Sequence, residues 1–396
     1  MSVAAGAGAG EPPAAAIPFV RATGEPFEVG YRHGAALAGP IGAFIDDDLC
    51  RIGRVAPAPV TLESLRPLLA GYGDAIAAAT PRLSQEIDGL AAGAGISREL
   101  AVLLQVRREV IGYQAVPARG DCSTYASLSA GPRGRPLLAQ TVDLNGDLDD
   151  QIAVLDVGLV GSPRRCLLLS FGGLLGYLGV NSDGLAIGLN LVLGGQWGPG
   201  LPPYLAIRHL LDNASSVAEA LDVLHGLPLA SSRSLTLCDP SAVACVEILG
   251  GEVRLVGSAP AGPVAHTNHY LDPEFARRDE LNVFARNSSL LRLKACDDWL
   301  TRLGDADADA GAGVEDHFAR LALSPVCVAD TGDIRRERTV AAVVLLPEAA
   351  ELHVRPGDPS ASSTQAFSLR PASVLSPADV WPAAGASPLT TKVAVP

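Results

Sequence analysis

The chain has 396 residues, 48% of them hydrophobic and 18% charged, a balance that supports a sizeable core and excludes disorder throughout. A net charge of −13 offers little for the basic face that a nucleic-acid duplex requires, and the only lysines, Lys294 and Lys392, follow no glycine, which excludes the phosphate loop G-x-x-x-x-G-K. Forty-two glycines and thirty prolines predict many turns and short elements rather than long coiled coils.

Residues 1–16 are rich in Ala, Gly and Pro and predict a disordered start. No basic residue precedes Arg21, so the charged beginning of a secretory signal is missing. From 22 to about 116 the pattern is helical: RHGAALAGPIGAFIDDDLCRI, SLRPLLAGYGDAIAAA, LSQEIDGLAAGAG and SRELAVLLQVRREVIGYQAV carry apolar residues at three-to-four spacing, with Ser97 and Glu99 marking one helix start. At Pro117 the character changes to short strand-like runs, CSTYASLS, RPLLAQTVDL, QIAVLDVGLV and RRCLLLSFG, separated by Gly-containing turns. LLGYLGVNSDGLAIGLNLV predicts two strands joined by Asn-Ser-Asp-Gly. Residues 205–213 and 217–224 read as helices, SLTLCD, ACVEILG and EVRLVG as strands, 273–305 and 313–322 as helices again, and ERTVAAVVLLP with ELHVRPG as a closing hairpin. From Asp358 the chain turns Ser-, Pro- and Ala-rich and loop-like. Strand groups separated from helix groups predict an α+β fold with antiparallel strands.

The longest apolar run, 166–180, is 15 residues broken by four glycines and a serine, too short to span a bilayer. Seven cysteines without a C-x-x-C pair argue against a disulfide framework or zinc ribbon and for reduced thiols, so the expectation is a soluble, cytoplasmic protein with no membrane partner. No serine lies in G-x-S-x-G. The stretch Asp143-Leu144-Asn145-Gly146-Asp147 begins like a calcium loop but has Leu148 and Val154 where glycine and glutamate are needed. His266 and His269 lack a neighbouring carboxylate or cysteine cluster, so no metal and no cofactor is expected.

One segment survives. Asp121-Cys122-Ser123-Thr124-Tyr125 lies where the helical pattern gives way to strands. If the peptide bond before Cys122 breaks, thiol and α-amine sit on one residue, and the amine, with a reference pKa of roughly 7.7–8.0, can serve as base for its own side chain. On the residues alone, a small buried hydrophobe fits Cys122 as well.

The chain resembles the acyl-coenzyme A:6-aminopenicillanic-acid acyltransferase family of N-terminal nucleophile (Ntn) hydrolases. PFEVGYRHGAAL (26–37), DCSTYA (121–126), LLAQTVDL (137–144), GVNSDGLAIGLNLV (179–192), HTNHYLDPEF (266–275), EDHF (315–318), SPVC (324–327) and RTVAAVVLLPEAAELHVRPGDP (338–359) match that family's blocks in order. The resemblance implies a four-layer αββα sandwich of two antiparallel sheets. It implies self-cleavage between Asp121 and Cys122, Cys122 as nucleophile, Asn268 as oxyanion-hole side chain and Asp143 as the acidic residue of the site. Residues 17–121 would then be a helical first chain and 122–357 the nucleophile-bearing second chain of one fold, held as a heterodimer, with 358–396 a tail. The implied activity is amide hydrolysis on an N-acylated small molecule or short peptide, the alternatives being acyl transfer from a thioester to an amine and a scaffold without catalysis. Thr124 and Tyr125 are the expected substrate-lining residues. The chain departs from the family at Thr141-Val142, where Asn-Trp is common, at Asp121, where glycine precedes the nucleophile, and at Val328, where an arginine is expected; Arg335 or Arg336 is the candidate to replace it. Asn181 and Asn190 read as turn and strand-end residues, His33 and His317 as structural, and Cys50, Cys166, Cys238, Cys245, Cys296 and Cys327 as inert thiols in apolar runs.

Overall fold

The computed structural model describes residues 16–112, 122–258, 262–305 and 311–370. Strand β1 (Phe19–Gly24) leads into α1 (Pro26–Ala36), α2 (Ala38–Asp46), α3 (Ile52–Val55), α4 (Leu62–Ala79), α5 (Pro81–Ala94) and α6 (Arg98–Ile111). Then follow β2 (Ser123–Gly131), β3 (Arg135–Leu144), β4 (Ile152–Leu159), β5 (Arg165–Phe171), β6 (Leu178–Asn181) and β7 (Ala186–Asn190). Helices α7 (Pro203–Asn213) and α8 (Val217–Leu224) precede β8 (Arg233–Cys238), β9 (Val243–Leu249), β10 (Glu252–Ser258) and β11 (Val264–His266). The described chain closes with α9 (Pro273–Ala276), α10 (Val283–Asp305), α11 (Val314–Leu321), β12 (Arg338–Leu346), β13 (Glu351–Pro356) and β14 (Gln365–Ser368).

Local chemistry sets the helix ends. Thr61 and Ser97 accept hydrogen bonds from the backbone N–H of Ser64 and Leu100, satisfying donors that a first turn leaves unpaired. Proline opens α1, α5 and α7, where its missing N–H costs nothing, and Gly95 ends α5 in the left-handed region. Helices α1 and α5 meet backbone to backbone: a Cβ on Gly30 would lie 1.9 Å from the Glu86 carbonyl oxygen, and one on Gly89 would lie 2.0 Å from that of Phe27.

The strands form two sheets, β1-β4-β5-β6-β7-β8-β9-β10 and β11-β2-β3-β12-β13-β14. Helices α1 and α7 pack on the first, α10 and α11 on the second, and β2 and β3 face β7 and β8 between them, giving the layer order α-β-β-α. Side chains on β12 alternate accordingly. Ala341, Val343 and Leu345 join the large core between the sheets, whereas Ala342 and Val344 join the cluster under α10 and α11. The αββα sandwich is as expected, with one parallel pairing, β1 with β4, among otherwise antiparallel ones.

Three expectations are corrected. Residues 17–121 are not wholly helical, because Phe19–Gly24 forms β1 and adds an edge strand to the sheet built after Cys122. The loop-like tail does not begin at 358: β14 pairs with β13, and the Gln365 side chain accepts from the Ile17 N–H at 2.8 Å. The helix expected over 273–305 breaks between α9 and α10, where Asp279 and Asn282 accept backbone N–H groups and so favour a turn.

Candidate active site

Cys122 stands immediately before β2, is 1% exposed, and has φ of 65°, a left-handed conformation that strains a residue with a side chain. It is buried, yet its surroundings are polar. Its N–H donates to Asp143 Oδ2 at 3.1 Å, its carbonyl oxygen accepts from Asn190 Nδ2 at 3.0 Å and Arg292 Nη1 at 2.7 Å, and its sulfur lies 3.7 Å from the Tyr177 hydroxyl.

Asp143 occupies the end of β3 with its side chain fully buried. Thr339 donates to Oδ1 at 2.7 Å while accepting from the Val328 N–H, and Thr141 donates to Oδ2 at 3.3 Å while accepting from the Ser123 N–H. A register shift between Thr339 and Ala341 lets Thr339 sit opposite Asp143 while Ala341 sits opposite Val142. The bulge aims the hydroxyl at the carboxylate. Thr141, one of the family departures, thus holds Asp143 by a hydrogen bond.

Asn268 lies between β11 and α9 and is 1% exposed. Its Oδ1 accepts from Arg292 Nη2 at 2.6 Å, its Nδ2 donates to the Leu191 carbonyl, and its backbone N–H donates to Ser289 Oγ. Arg292, fully buried on α10, also donates to Ser123 Oγ at 3.1 Å. One guanidinium therefore ties Cys122 and Ser123 to Asn268, the bidentate use for which its planar fork is suited.

The structure thus brings together Cys122, Asp143 and Asn268, and adds Asn190, Arg292 and Tyr177. Asp121 lies outside the described residues. Arg335 and Arg336 do not fill the position of the missing arginine: both pair with Asp333 at an exposed turn, while Arg292 reaches the site. Asn190 is not merely a strand end, since its amide holds the Cys122 carbonyl. Tyr125 does not join the groups around Cys122; it packs with Cys296, Phe318 and Leu321, and its hydroxyl meets His317 Nδ1 at 2.9 Å. Thr124 is fully buried against Gly188 of β7.

The remaining side chains behave as structural groups. Asn181 caps its turn through the Asp183 and Leu185 N–H groups. Burial lowers His33 to about 3 and His317 to about 4, keeping both rings neutral. Burial also raises the thiols of Cys50, Cys245 and Cys296 to about 12 and that of Cys327 to about 11, and drives Cys166 and Cys238 upward, so thiolate is disfavoured at each. Among the described residues no group of three His, Cys, Asp or Glu side chains is arranged to hold a metal, and no helix is long and apolar enough to cross a membrane. His266 instead bonds Glu247 at 2.8 Å.

A small cavity of about 40 Å³ lies beside Tyr177, walled by Phe44, Leu104, Leu144, Phe171 and Tyr204. Tyr177 both lines it and holds its hydroxyl 3.7 Å from the Cys122 sulfur.

Comparison with known proteins gives the following. Residues 130–360 match the family described as acyl-coenzyme A:6-aminopenicillanic acid acyl-transferase. The acyl-coenzyme A:6-aminopenicillanic-acid-acyltransferase 40 kDa form of Emericella nidulans is 29% identical over 265 residues, spanning 66% of this chain and 72% of that protein. Among solved structures, a mutant conjugated bile acid hydrolase from Clostridium perfringens aligns with a TM-score of 0.42 at 12% identity, covering 62% of this chain and 92% of that one. Penicillin V acylase from Agrobacterium tumefaciens aligns with a TM-score of 0.41 at 15% identity, covering 63% and 86%.

Proposed function

We propose, from the premise that the chain belongs to the acyl-coenzyme A:6-aminopenicillanic acid acyl-transferase family, that it is a self-processing cysteine amidohydrolase that cleaves a linear amide of an N-acylated small molecule through an acyl-enzyme on Cys122. The observation that carries this reading is the set of contacts around Cys122: N–H on the Asp143 carboxylate, carbonyl on Asn190 and Arg292, sulfur beside the Tyr177 hydroxyl.

In the first step the Cys122 sulfur attacks the carbonyl carbon of residue 121. The S–C bond forms, the C–N bond breaks, and the nitrogen takes the thiol proton. Water then hydrolyses the thioester, releasing the carboxylate of residue 121 and a free thiol. The left-handed φ of Cys122 favours this step, since breaking that peptide bond removes the torsion and with it a strain of roughly 1–3 kcal/mol.

In the mature site the α-amine takes the proton from Sγ and the thiolate attacks the substrate carbonyl. Asp143, already the acceptor of that nitrogen's hydrogen, orients the amine and stabilises its protonated form. Amide N–H groups of Asn268 and Asn190 provide for the oxyanion, with Arg292 fixing the Asn268 carbonyl so that its NH₂ points away from the guanidinium. The leaving amine departs protonated, and water releases the acyl group.

Transfer to an amine is the second reading, favoured by the relative named as an acyltransferase. Incubation with an acyl thioester, with and without an amine acceptor, separates the two: new amide supports transfer, free acid alone supports hydrolysis. Intact mass spectrometry tests the shared premise. Two fragments meeting at Asp121/Cys122, replaced by one chain in Cys122→Ala, are expected; one uncut wild-type chain that takes up no acyl group would refute it and favour a scaffold without catalysis.

A further inference from the structure

Asn268 sits between β11 and α9, where neither a strand ladder nor a helix fixes the backbone, yet Thr267, Asn268, His269 and Tyr270 are all buried. A buried loop has to satisfy its polar groups from elsewhere. Two fully buried side chains outside the loop supply most of the partners. Ser289, one turn before Arg292 on α10, accepts from the Asn268 N–H at 2.8 Å. Thr267 Oγ1 donates to the Ser289 carbonyl at 3.0 Å, which leaves the Ser289 hydroxyl proton for His269 Nδ1 at 2.7 Å. Burial, with nearby His266, Arg286 and Arg292, lowers His269 to about 4, so its ring is neutral and Nδ1 can accept. One serine therefore holds Asn268 and the residues on both sides of it.

Glu247 of β9 grips the same loop from the other side. Its Oε1 meets His266 Nε2 at 2.8 Å and accepts from the Leu271 N–H, and its Oε2 accepts from the Asp272 N–H at 3.0 Å. Both oxygens of this carboxylate are thus committed to residues 266–272. The loop is anchored in two layers, β9 in one sheet and α10 over the other. A hydrogen-bond donor for an oxyanion has to be held to within about 0.5 Å, and on a loop that precision comes from supporting hydrogen bonds. Arg292 fixes the Asn268 side-chain oxygen, whereas Ser289 fixes its backbone.

We infer that Ser289 and Glu247 are positioning residues, which hold the Asn268 amide in place for the oxyanion by clamping residues 266–272 between α10 and β9. The inference rests on the proposed function, in which that amide receives the oxyanion, and adds the groups that set its place. Removing the Ser289 hydroxyl releases the Asn268 N–H and His269 Nδ1 together, and a resulting displacement of about 1 Å costs up to about a hundredfold in rate. The sulfur is left as it is, since among the described residues the hydrogen bonds of Ser289 and Glu247 go to the loop and not to Cys122.

The test compares two reactions of the same sulfur on the cut protein, both followed by intact mass. Acylation by p-nitrophenyl acetate passes through an oxyanion. Alkylation by iodoacetamide does not, because the sulfur displaces iodide from a saturated carbon. Ser289→Ala is expected to slow acylation by about thirtyfold while alkylation stays within about twofold. Glu247→Gln, which keeps the shape and loses one acceptor, is expected to show the same split at about tenfold, and it decides the matter if Ser289→Ala does not fold or cut. In an Asn268→Ala background, itself slowed by about a hundredfold, adding Ser289→Ala is expected to change acylation by less than about twofold. Acylation and alkylation falling together, acylation unaltered in both variants, or a full second loss in the Asn268→Ala background overturns the positioning role. With a wild type that is acylated at Cys122, any of these sinks the clamp alone. A wild type that takes up no acyl group sinks the Cys122 reading and the clamp with it.

Discussion

Arg292→Met is the most informative perturbation of the site, because Met keeps the length of the side chain while removing every donor. The guanidinium donates to the Cys122 carbonyl at 2.7 Å, Ser123 Oγ at 3.1 Å and Asn268 Oδ1 at 2.6 Å. Hydrogen bonds from a charged donor contribute roughly 1.5–3 kcal/mol each, offset by the cost of keeping a cation out of water. Asn190 still holds the Cys122 carbonyl at 3.0 Å, so the loss is partial. A net destabilisation of about 2–4 kcal/mol follows, and for a chain of this length a fall in Tm of about 2–5 °C. The chemical step should suffer separately. With Asn268 no longer pinned, displacement of its amide by about 1 Å is expected to lower kcat by about a hundredfold with KM within about threefold. The assay is single-turnover acylation of Cys122 by a p-nitrophenyl ester alongside scanning calorimetry, with Arg292→Lys as a comparison that restores charge but not the fork. A variant with lowered Tm and undiminished acylation would refute the positioning role. A variant unchanged in both would refute the contacts themselves.

Asp143→Asn leaves the shape of the β3 end intact but removes the charge under the Cys122 nitrogen; acylation is expected to fall by about a hundredfold with Tm lowered by only a few degrees, and equal rates would show that the carboxylate does not orient the amine. Glu86→Ala strands Arg208, whose two terminal nitrogens it holds at 2.9 and 3.0 Å, and should cost about 3–5 kcal/mol in urea unfolding; a cost under about 1 kcal/mol would mean that Asp212 compensates. His317 is buried neutral with a pKa lowered to about 4 by burial, so the unfolded chain takes up the proton first as the medium acidifies. Its contribution is present above pH ~6.5 and lost as pH falls toward ~4, about 3 kcal/mol across that window, and Tm should drop less steeply there in His317→Gln than in wild type. Parallel slopes would contradict the neutral buried ring.

The elements that announced themselves in the sequence were those whose periodicity matched their burial. β8 and β9 read as short strand-like runs bounded by turns, and α4 to α6 read by their three-to-four spacing, α6 also by its Ser97 cap. β1 did not, because FVRATG is six residues long with alternate positions exposed, and its partner β4 lies more than a hundred residues away. A parallel pairing of that separation leaves no local mark. β14, four residues with no fully buried side chain, is similarly silent.

The site divides along the same line. Cys122, Asp143 and Asn268 lie in runs where chain order alone suggests them, whereas Asn190 and Arg292 acquire meaning only when β7 and α10 are carried to the start of β2. Arg292 did leave one trace. The buried positions of α10 run Ala285, Ser289, Arg292, Cys296 and Leu300, helical spacing along one stripe, and an arginine holds a place where the pattern asks for an apolar or small side chain. A charge on the inward stripe of a helix has to find several acceptors on the facing layer, since a buried cation without them is expensive. Tracing which layer α10 covers leads to β2 and β11, and thus to Cys122 on one side and Asn268 on the other. The misfit of one residue to its helix pattern therefore points to the arginine that contacts both Cys122 and Asn268, whereas Arg335 and Arg336, nearer in sequence to Val328, are held by the turn that ties both to Asp333.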